Sequence, residues 1–318
     1  MARISDFDYP SSDGKTRIHA REWMPDTDHI TGVVHILHGM SEHIGRYDAL
    51  AQFMTQYGYV VVGGDHLGHG LSALRAEDLG YFADSDGWMR VVEDVRTLKI
   101  LSARRFPDVP YFMLGHSMGS FLARTYLIRF PGTLNGAVLS GTAWMSDGDI
   151  RRGKMLAAVE KRRLGGRGHS SIARKFSNDD YNRHFAPNRT DFDWLSVDTE
   201  NVDRYIADPL CGFPQTIGAL RDMLDGFVFN QNPDNLAKMD PATPVLFISG
   251  ANDPVGDMGE GVKRSEAAFA AAGVRDMSMK LYAGARHEIF NDVCRKDARY
   301  DTLNWFESRV HGGVKAIR

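Results

Sequence analysis

Ser117 lies in a stretch whose residue types suit nucleophilic catalysis. The stretch Gly-His-Ser-Met-Gly, residues 115–119, follows an apolar run and precedes a helical pattern. A nucleophile held on a sharp strand-to-helix turn needs this arrangement, because the crowded backbone leaves room only for glycine two residues to either side. The context favours Ser117 as a nucleophile flanked by Gly115 and Gly119. The alternative is an ordinary turn that happens to contain a serine.

The serine needs partners further along the chain. Its hydroxyl is inert at neutral pH unless a base takes the proton, and the base needs an orienting carboxylate. In this arrangement the acid and then the histidine follow the serine, each just beyond a strand. Asp253 follows the apolar run PVLFISG and His287 follows MSMKLYAG. Asp257 lies further from the strand end, and His311 lies in the C-terminal tail, so we predict a Ser117–His287–Asp253 triad.

Two backbone amides are predicted to hold the oxyanion of the reaction. They belong to Met118, the residue after the nucleophile, and to Met40, after the His-Gly pair of the loop at 38–47. His116 faces the wrong way on a strand-like backbone to serve as the base, and we expect it to pack or hydrogen-bond locally. The Gly-rich stretch 64–72 lacks the spacing of a phosphate cradle, and we interpret it as a structural turn.

Short apolar or β-branched runs alternate with helical patterns along the chain. Runs bounded by Gly, Pro or Asp are typical of strands buried on both faces. Strand–helix alternation predicts an α/β fold with a mostly parallel sheet between helices. The predicted strands are 32–39, 59–65, 111–117, 136–141, 244–250 and 277–284, and the predicted helices are 47–57, 88–105, 117–130, 260–272 and 298–310. Residues 16–25 alternate in polarity and indicate an antiparallel edge strand.

The alternation stops after residue 142, and no buried-strand pattern appears before about Gly212. A structureless loop of that length is improbable. We therefore predict a helical cap, residues 143–212, inserted between two sheet strands of a core made of residues 1–142 and 213–318. The cap lies above the carboxyl ends of the strands, where ligands bind in such sheets.

The predicted cap contains a basic segment, residues 151–175, with nine Lys or Arg against one Glu. Such a segment is either a solvated surface or a transient contact for anionic lipid headgroups or a phosphate-bearing substrate. Several apolar side chains are candidates for lining a substrate slot, although each is equally suited to the core: Trp144, Met145, Met155, Leu156 and Phe213.

Composition excludes several classes of protein. The chain has 318 residues, 43% of them hydrophobic and 25% charged, with a formal charge of −3. A near-neutral charge gives no indication of nucleic-acid binding. Two cysteines, Cys211 and Cys294, are too few for a disulfide framework, and we expect free thiols in a reducing compartment. The stretch 1–15 has no apolar region after Arg3, and no apolar run approaches roughly 18 residues, so we expect no secretory signal, no membrane span and a cytoplasmic location.

Six strings together resemble the α/β-hydrolase superfamily, in its monoacylglycerol lipase and lysophospholipase branch (the serine aminopeptidase S33 or hydrolase-4 grouping). They are HGMSEHIGRY, GDHLGHGLS, GHSMGS, DPLCGFPQT, SGANDPVG and GARHEIFND, which span residues 38–292. The resemblance implies the same triad and oxyanion amides, no cofactor and no metal. It also implies a small-molecule ester or lipid substrate, with monoacylglycerols or lysophospholipids preferred. The basic cap segment departs from the apolar cap helix usual in lipid-hydrolysing relatives.

Other functions stay open at this stage. A general short-chain carboxylesterase or a serine aminopeptidase would use the same triad, although a peptidase needs an acidic patch for the substrate amine. Epoxide hydrolases and haloalkane dehalogenases share the fold but need an aspartate where this chain has Ser117. A non-catalytic binding protein has no chemical need for all three triad members. The oligomeric state is not predicted.

Overall fold

An eight-stranded sheet forms the centre of the protein. The computed structural model describes residues 2–170 and 180–310. In chain order the strands are β1 Arg3–Pro10, β2 Arg17–Met24, β3 Gly32–Leu37, β4 Tyr59–Gly64, β5 Tyr111–His116, β6 Gly136–Ser140, β7 Val245–Gly250 and β8 Met277–Tyr282. Their spatial order is β1-β2-β4-β3-β5-β6-β7-β8. β2 runs antiparallel to both β1 and β4, and the pairs from β4 to β8 are parallel.

The predicted α/β fold with a mostly parallel sheet is confirmed. All six predicted strands form, and the alternating segment at 16–25 forms β2. The prediction of burial on both faces is wrong for β8, which lies at the edge of the sheet and is buried only at Tyr282. The central strands β3, β4, β5, β6 and β7 are buried along their whole length, as expected where helices cover both faces. β1 has no predicted counterpart. Its residues are mostly exposed, and an outer strand of this kind forms without an apolar pattern.

Helices cover both faces of the sheet. In the part of the chain that the structure describes, the helices are α1 Asp48–Thr55, α2 Gly87–Arg105, α3 Met118–Arg129, α4 Asp147–Leu164, α5 Asp180–Asn182, α6 Thr199–Ala207, α7 Ile217–Gln231, α8 Pro233–Leu236, α9 Glu260–Ala271 and α10 Arg295–Val310, with 3-10 turns at Ile44–Tyr47, Gly70–Ser72, Ala76–Asp78, Arg183–Phe185 and Asp193–Leu195. One apolar core joins the sheet to α2, α3, α7 and α9, with Phe121 and Phe227 in contact. A second core joins the opposite face to α1 and α10 through Leu50 and Phe306.

The long connection between β6 and β7 is helical. Its described parts, 141–170 and 180–244, contain helices and turns and no strand. α4 packs along α7, and α7 also packs on α2 and α3. α7 thus contacts both the connection and the helices that cover the sheet. Its packing does not divide the cap from the core at residue 212, and that boundary stays a prediction. Residues 171–175 of the basic segment lie outside the described residues, as does His311. Within the described ranges, the helices lack the combined length and apolar character needed to cross a membrane.

Candidate active site

Ser117 occupies a strained turn between β5 and α3. Its φ of 52° and ψ of −120° lie in a region that residues other than glycine rarely adopt. A Cβ on Gly115 would lie 2.3 Å from the Gly119 carbonyl oxygen, and a Cβ on Gly119 would lie 2.0 Å from the Leu37 carbonyl oxygen. The turn therefore requires glycine at both positions. The Ser117 N–H donates to the Ser140 carbonyl at 2.9 Å, which fixes the turn to the end of β6.

Asp253 and His287 form a buried hydrogen-bonded pair at the ends of β7 and β8. His287 Nδ1 donates to Asp253 Oδ2 at 2.9 Å, and the two residues are 2% and 0% exposed. Ser249 Oγ donates to the same carboxylate oxygen at 3.0 Å, and the Val255 N–H donates to Oδ1 at 2.9 Å. These bonds orient the carboxylate toward the imidazole.

The chain segments that carry the pair approach each other closely. A Cβ on Gly250 would lie 2.0 Å from the Arg286 carbonyl oxygen, so glycine at the end of β7 lets the two loops meet. Asp257, the competing acid in the sequence, points elsewhere: it is exposed, and its carboxylate lies 3.6 Å from Arg264.

The electrostatics of the pair suit a general base. Burial disfavours the charged imidazolium, but the charge and hydrogen bond of Asp253 outweigh burial and raise the pKa of His287 above its ordinary value of 6.5. Burial likewise opposes the charged form of Asp253, but His287 lowers the pKa of that carboxyl below 3.8. Asp253 is therefore a carboxylate, and its negative charge favours the protonated form of His287.

Ser117, His116 and His287 lie close together at the same edge of the sheet, where glycines in two loops leave room for them. A Cβ on Gly39 would lie 3.3 Å from Ser117 Cβ and 3.5 Å from His116 Cδ2, and a Cβ on Gly141 would lie 2.9 Å from His287 Cε1. The rings of His116 and His287 have centroids 4.6 Å apart. Burial lowers the pKa of His116 to about 4, so this ring is a neutral packing partner for His287.

The two residues predicted to supply oxyanion amides lie in the segments next to Ser117. Met118 is the first residue of α3, and an N–H at that position has no acceptor within its own helix. Met40 follows Gly39, whose N–H donates to Glu42 Oε1 at 2.5 Å. The Met40 side chain is half-buried, with Sδ 3.2 Å from His69 Nε2. The assignment of both amides as oxyanion donors stays a prediction.

A buried ionic network beside the candidate triad has no signal in the sequence. Arg46 Nη1 donates to Glu42 Oε2 at 2.7 Å and to Glu288 Oε1 at 2.6 Å, and Nη2 donates to Glu288 Oε2 at 2.8 Å. Burial opposes the charged form of both glutamates, but Arg46 lowers the pKa of each. Asn201 of α6 donates to Glu288 at 2.7 Å. We call Glu42, Arg46 and Glu288 the arginine clamp. It joins residues 38–47, which we call the oxyanion loop after the role predicted for Met40, to the residue after His287.

A tryptophan from the long β6–β7 connection also contacts the site. The Trp194 ring lies 5.2 Å from the His287 ring, centroid to centroid. The Glu288 N–H donates to the Leu195 carbonyl at 2.8 Å, which holds this segment against the histidine loop. Nothing in the sequence distinguishes Trp194 from the other apolar residues of the predicted cap.

Three of the predicted substrate-slot residues lie in two places. Phe213 meets His69 edge to face, with ring centroids 5.3 Å apart, and its carbonyl accepts from Ser41 Oγ of the oxyanion loop at 2.8 Å. Trp144 and Met145 lie just beyond β6, and the Met145 backbone exchanges two hydrogen bonds with Gln231 of α7. A shared apolar slot formed by these three residues stays a prediction.

Comparison with known proteins identifies the family. The model of the family described as serine aminopeptidase, S33 (Hydrolase_4) matches residues 28–293. A monoacylglycerol lipase of Mycolicibacterium smegmatis is 31% identical over 300 residues, which cover 93% of this chain and 95% of that protein. A thermostable carboxyl esterase of Bacillus coagulans, solved with glycerol, superposes with a TM-score of 0.89 at 27% identity and covers 96% of this chain and 99% of that one. A lipase in an open form superposes with a TM-score of 0.86 at 26% identity, over 97% and 100% of the two chains. The chain belongs to the Hydrolase_4 family of α/β hydrolases, in the branch that contains the monoacylglycerol lipases.

Proposed function

We propose that this serine ester hydrolase cleaves carboxylic esters of glycerol, with monoacylglycerols or lysophospholipids as substrates and Ser117 as the nucleophile. The observation that carries the proposal is the buried Asp253–His287 pair beside a serine on a strained turn. The names of the relatives support the substrate class, and the family supports ester hydrolysis in general.

The mechanism is a two-step acyl transfer to water. His287 takes the Ser117 proton as Oγ attacks the ester carbonyl, and Asp253 stabilises the imidazolium. The amides of Met40 and Met118 hold the negative oxygen of the tetrahedral intermediate. His287 then gives its proton to the departing alcohol, and a water molecule activated by the same imidazole releases the acid and restores Ser117.

Residues 143–212 act as a cap that meets the lipid surface through α4. Two apolar side chains of this helix point into solvent: Met155 is 68% exposed and Val159 is 57% exposed. They lie one turn apart, with Arg151 and Arg162 exposed beside them. Apolar side chains flanked by basic ones are typical of helices that bind at an anionic membrane surface.

A substrate panel tests the proposed activity. Monoacylglycerols and lysophospholipids are compared with p-nitrophenyl esters from acetyl to palmitoyl and with an aminoacyl anilide, using wild type and Ser117→Ala. We expect hydrolysis of long-chain glycerol esters that the variant loses. Activity on acetyl esters alone would make the protein a general carboxylesterase, and anilide cleavage would make it a peptidase.

Vesicle binding tests the cap surface separately. Wild type and a Met155→Asp, Val159→Asp double variant are sedimented with phosphatidylglycerol or phosphatidylcholine vesicles. We expect the wild type to favour the anionic vesicles and the double variant to lose this binding. Val293→Asp is the matched control, since Val293 is 60% exposed outside α4. Equal binding by all three proteins would contradict the assignment.

A further inference from the structure

His43, Asp208 and Cys211 bring three types of metal ligand together outside the proposed triad. One nitrogen of His43, one carboxylate oxygen of Asp208 and the Sγ of Cys211 lie within 4.8 Å of one another. In residues 2–170 and 180–310, this is the one group of three or more such side chains with that geometry. Imidazole, carboxylate and thiolate are the ligands that zinc takes in proteins.

The backbone holds two of the ligands in a fixed turn after α6. The Cys211 N–H donates to the Asp208 carbonyl at 3.0 Å. The Leu210 N–H donates to Asp208 Oδ1 at 2.9 Å. The turn thus presents the second carboxylate oxygen and the thiol to His43, which lies in the middle of the oxyanion loop.

The hydrogen bonds of His43 set the direction of its ring. The Gly45 N–H donates to Nδ1 at 3.2 Å, so the ring proton is on Nε2 and donates to Asp208 Oδ2 at 2.9 Å. A metal ion at Nε2 replaces that proton as the bridge to Asp208. The ring proton moves to Nδ1 at the expense of the Gly45 hydrogen bond, and the thiol proton leaves to solvent. Metal–ligand bonds far outweigh one hydrogen bond of this kind.

The group is open on one side and closed on the other. The side chains of His43 and Asp208 are 18% and 30% exposed, whereas Cys211 is buried. An ion can reach the imidazole and carboxylate from solvent and take the thiolate as its inner ligand. Zinc bonds of about 2.0 Å to nitrogen and 2.3 Å to sulfur close the group after shifts of about 1 Å. Carboxylate and thiolate together balance the double positive charge.

We propose that His43, Asp208 and Cys211 form a divalent transition-metal site that takes Zn²⁺ and ties the oxyanion-loop segment to the turn after α6. Three protein ligands leave a fourth tetrahedral position for water. None of the three ligands is a proposed catalytic residue, and metal binding is measured independently of ester hydrolysis.

Cobalt titration of the full, metal-stripped chain tests the site. A cobalt ion bound by a cysteine thiolate gains a near-ultraviolet charge-transfer band, which Zn²⁺ abolishes when it displaces the cobalt. We expect this band with a single ion per chain, and its loss in Cys211→Ser. His43→Gln and Asp208→Asn should keep the thiol but weaken cobalt affinity at least about tenfold, since even outer partners of metal ligands are worth that much.

Matched controls separate this site from other thiols and imidazoles. Cys294→Ser changes the other cysteine, and His19→Gln changes a histidine whose Nδ1 lies 3.5 Å from Asp8. Both variants should bind cobalt like the wild type. No charge-transfer band in the wild type, or a band that survives Cys211→Ser and disappears in Cys294→Ser, would overturn the proposal. Circular dichroism of each metal-free variant establishes that it is folded.

Discussion

Replacing Arg46 by Met removes the cation that two buried carboxylates share. The substitution keeps an apolar stem, but it leaves Glu42 and Glu288, which are 3% and 5% exposed, without their ion pair. Removing one partner of a buried pair costs about 3–5 kcal/mol. For a chain of this size each kcal/mol corresponds to about 2 °C in Tm. We therefore expect the unfolding midpoint of Arg46→Met to fall by about 6–10 °C.

The same substitution should impair catalysis more than substrate binding. Glu42 holds the Gly39 N–H in the oxyanion loop, and Glu288 directly follows His287. Loss of the clamp frees both segments, and small misplacements of catalytic groups cost up to about 100-fold in rate. Steady-state kinetics on p-nitrophenyl butyrate should show kcat reduced by about 10–100-fold with KM little changed. Thermal unfolding followed by circular dichroism measures the stability of the same samples.

Two further variants test whether loss of the Arg46 charge causes the lower stability of Arg46→Met. Arg204→Met removes an exposed partner of Glu200, 3.7 Å away on α6, and should cost less than about 0.5 kcal/mol. Combining Arg46→Met with Glu42→Gln and Glu288→Gln should recover most of the lost Tm, because neutral amides need no cation. An unchanged Tm and kcat in Arg46→Met would refute the clamp, and a combined variant as unstable as the single one would refute its electrostatic origin.

Four further perturbations test the site and the fold. Asp253→Asn should lower kcat by about 10⁴-fold, the usual effect of losing the orienting carboxylate. In the wild type, kcat/KM should fall as pH drops through a His287 pKa above 6.5, because only neutral imidazole accepts the proton; a midpoint below 6.5 would contradict this. Gly115→Ala should lower the free energy of unfolding by about 1–3 kcal/mol, measured in urea, whereas Gly148→Ala, which meets nothing closer than 3.7 Å, should change it by no more than about 1 kcal/mol. Burial raises the pKa of Asp222 to about 6 from 3.8. Above pH 6 the folded protein therefore holds a buried carboxylate, which lowers its stability relative to the unfolded chain. Asp222→Asn should therefore raise Tm at pH 8 and leave it nearly unchanged at pH 4; equal effects at both pH values would exclude a charge origin.

The fold and the candidate triad could be predicted because each rests on a local pattern. Buried strands have apolar runs, and parallel strands bring their carboxyl ends to one edge. Asp253 and His287 could therefore be named as candidates from their positions after two predicted strands. The two free cysteines, Cys211 and Cys294, were also predicted and are confirmed.

The arginine clamp could not be predicted because its members are distant in the chain. Arg46 and Glu288 are 242 positions apart, and a charged residue after a strand is usually exposed. Trp194 was missed for a similar reason, since the connection folds back on His287 through backbone hydrogen bonds that have no sequence signature. β1 lacks an apolar pattern because it lies at the sheet edge, with most of its side chains in solvent.

Covalent labelling of the native protein with a fluorophosphonate tests the role of Ser117 most directly. Such a probe reacts with a serine whose hydroxyl is activated by a neighbouring base. We predict one adduct per chain, mapped by mass spectrometry to the peptide that contains Ser117, loss of esterase activity in proportion to labelling, and no adduct in Ser117→Ala. An active protein that is not labelled, or an adduct on another serine that persists in Ser117→Ala, would contradict the proposed mechanism.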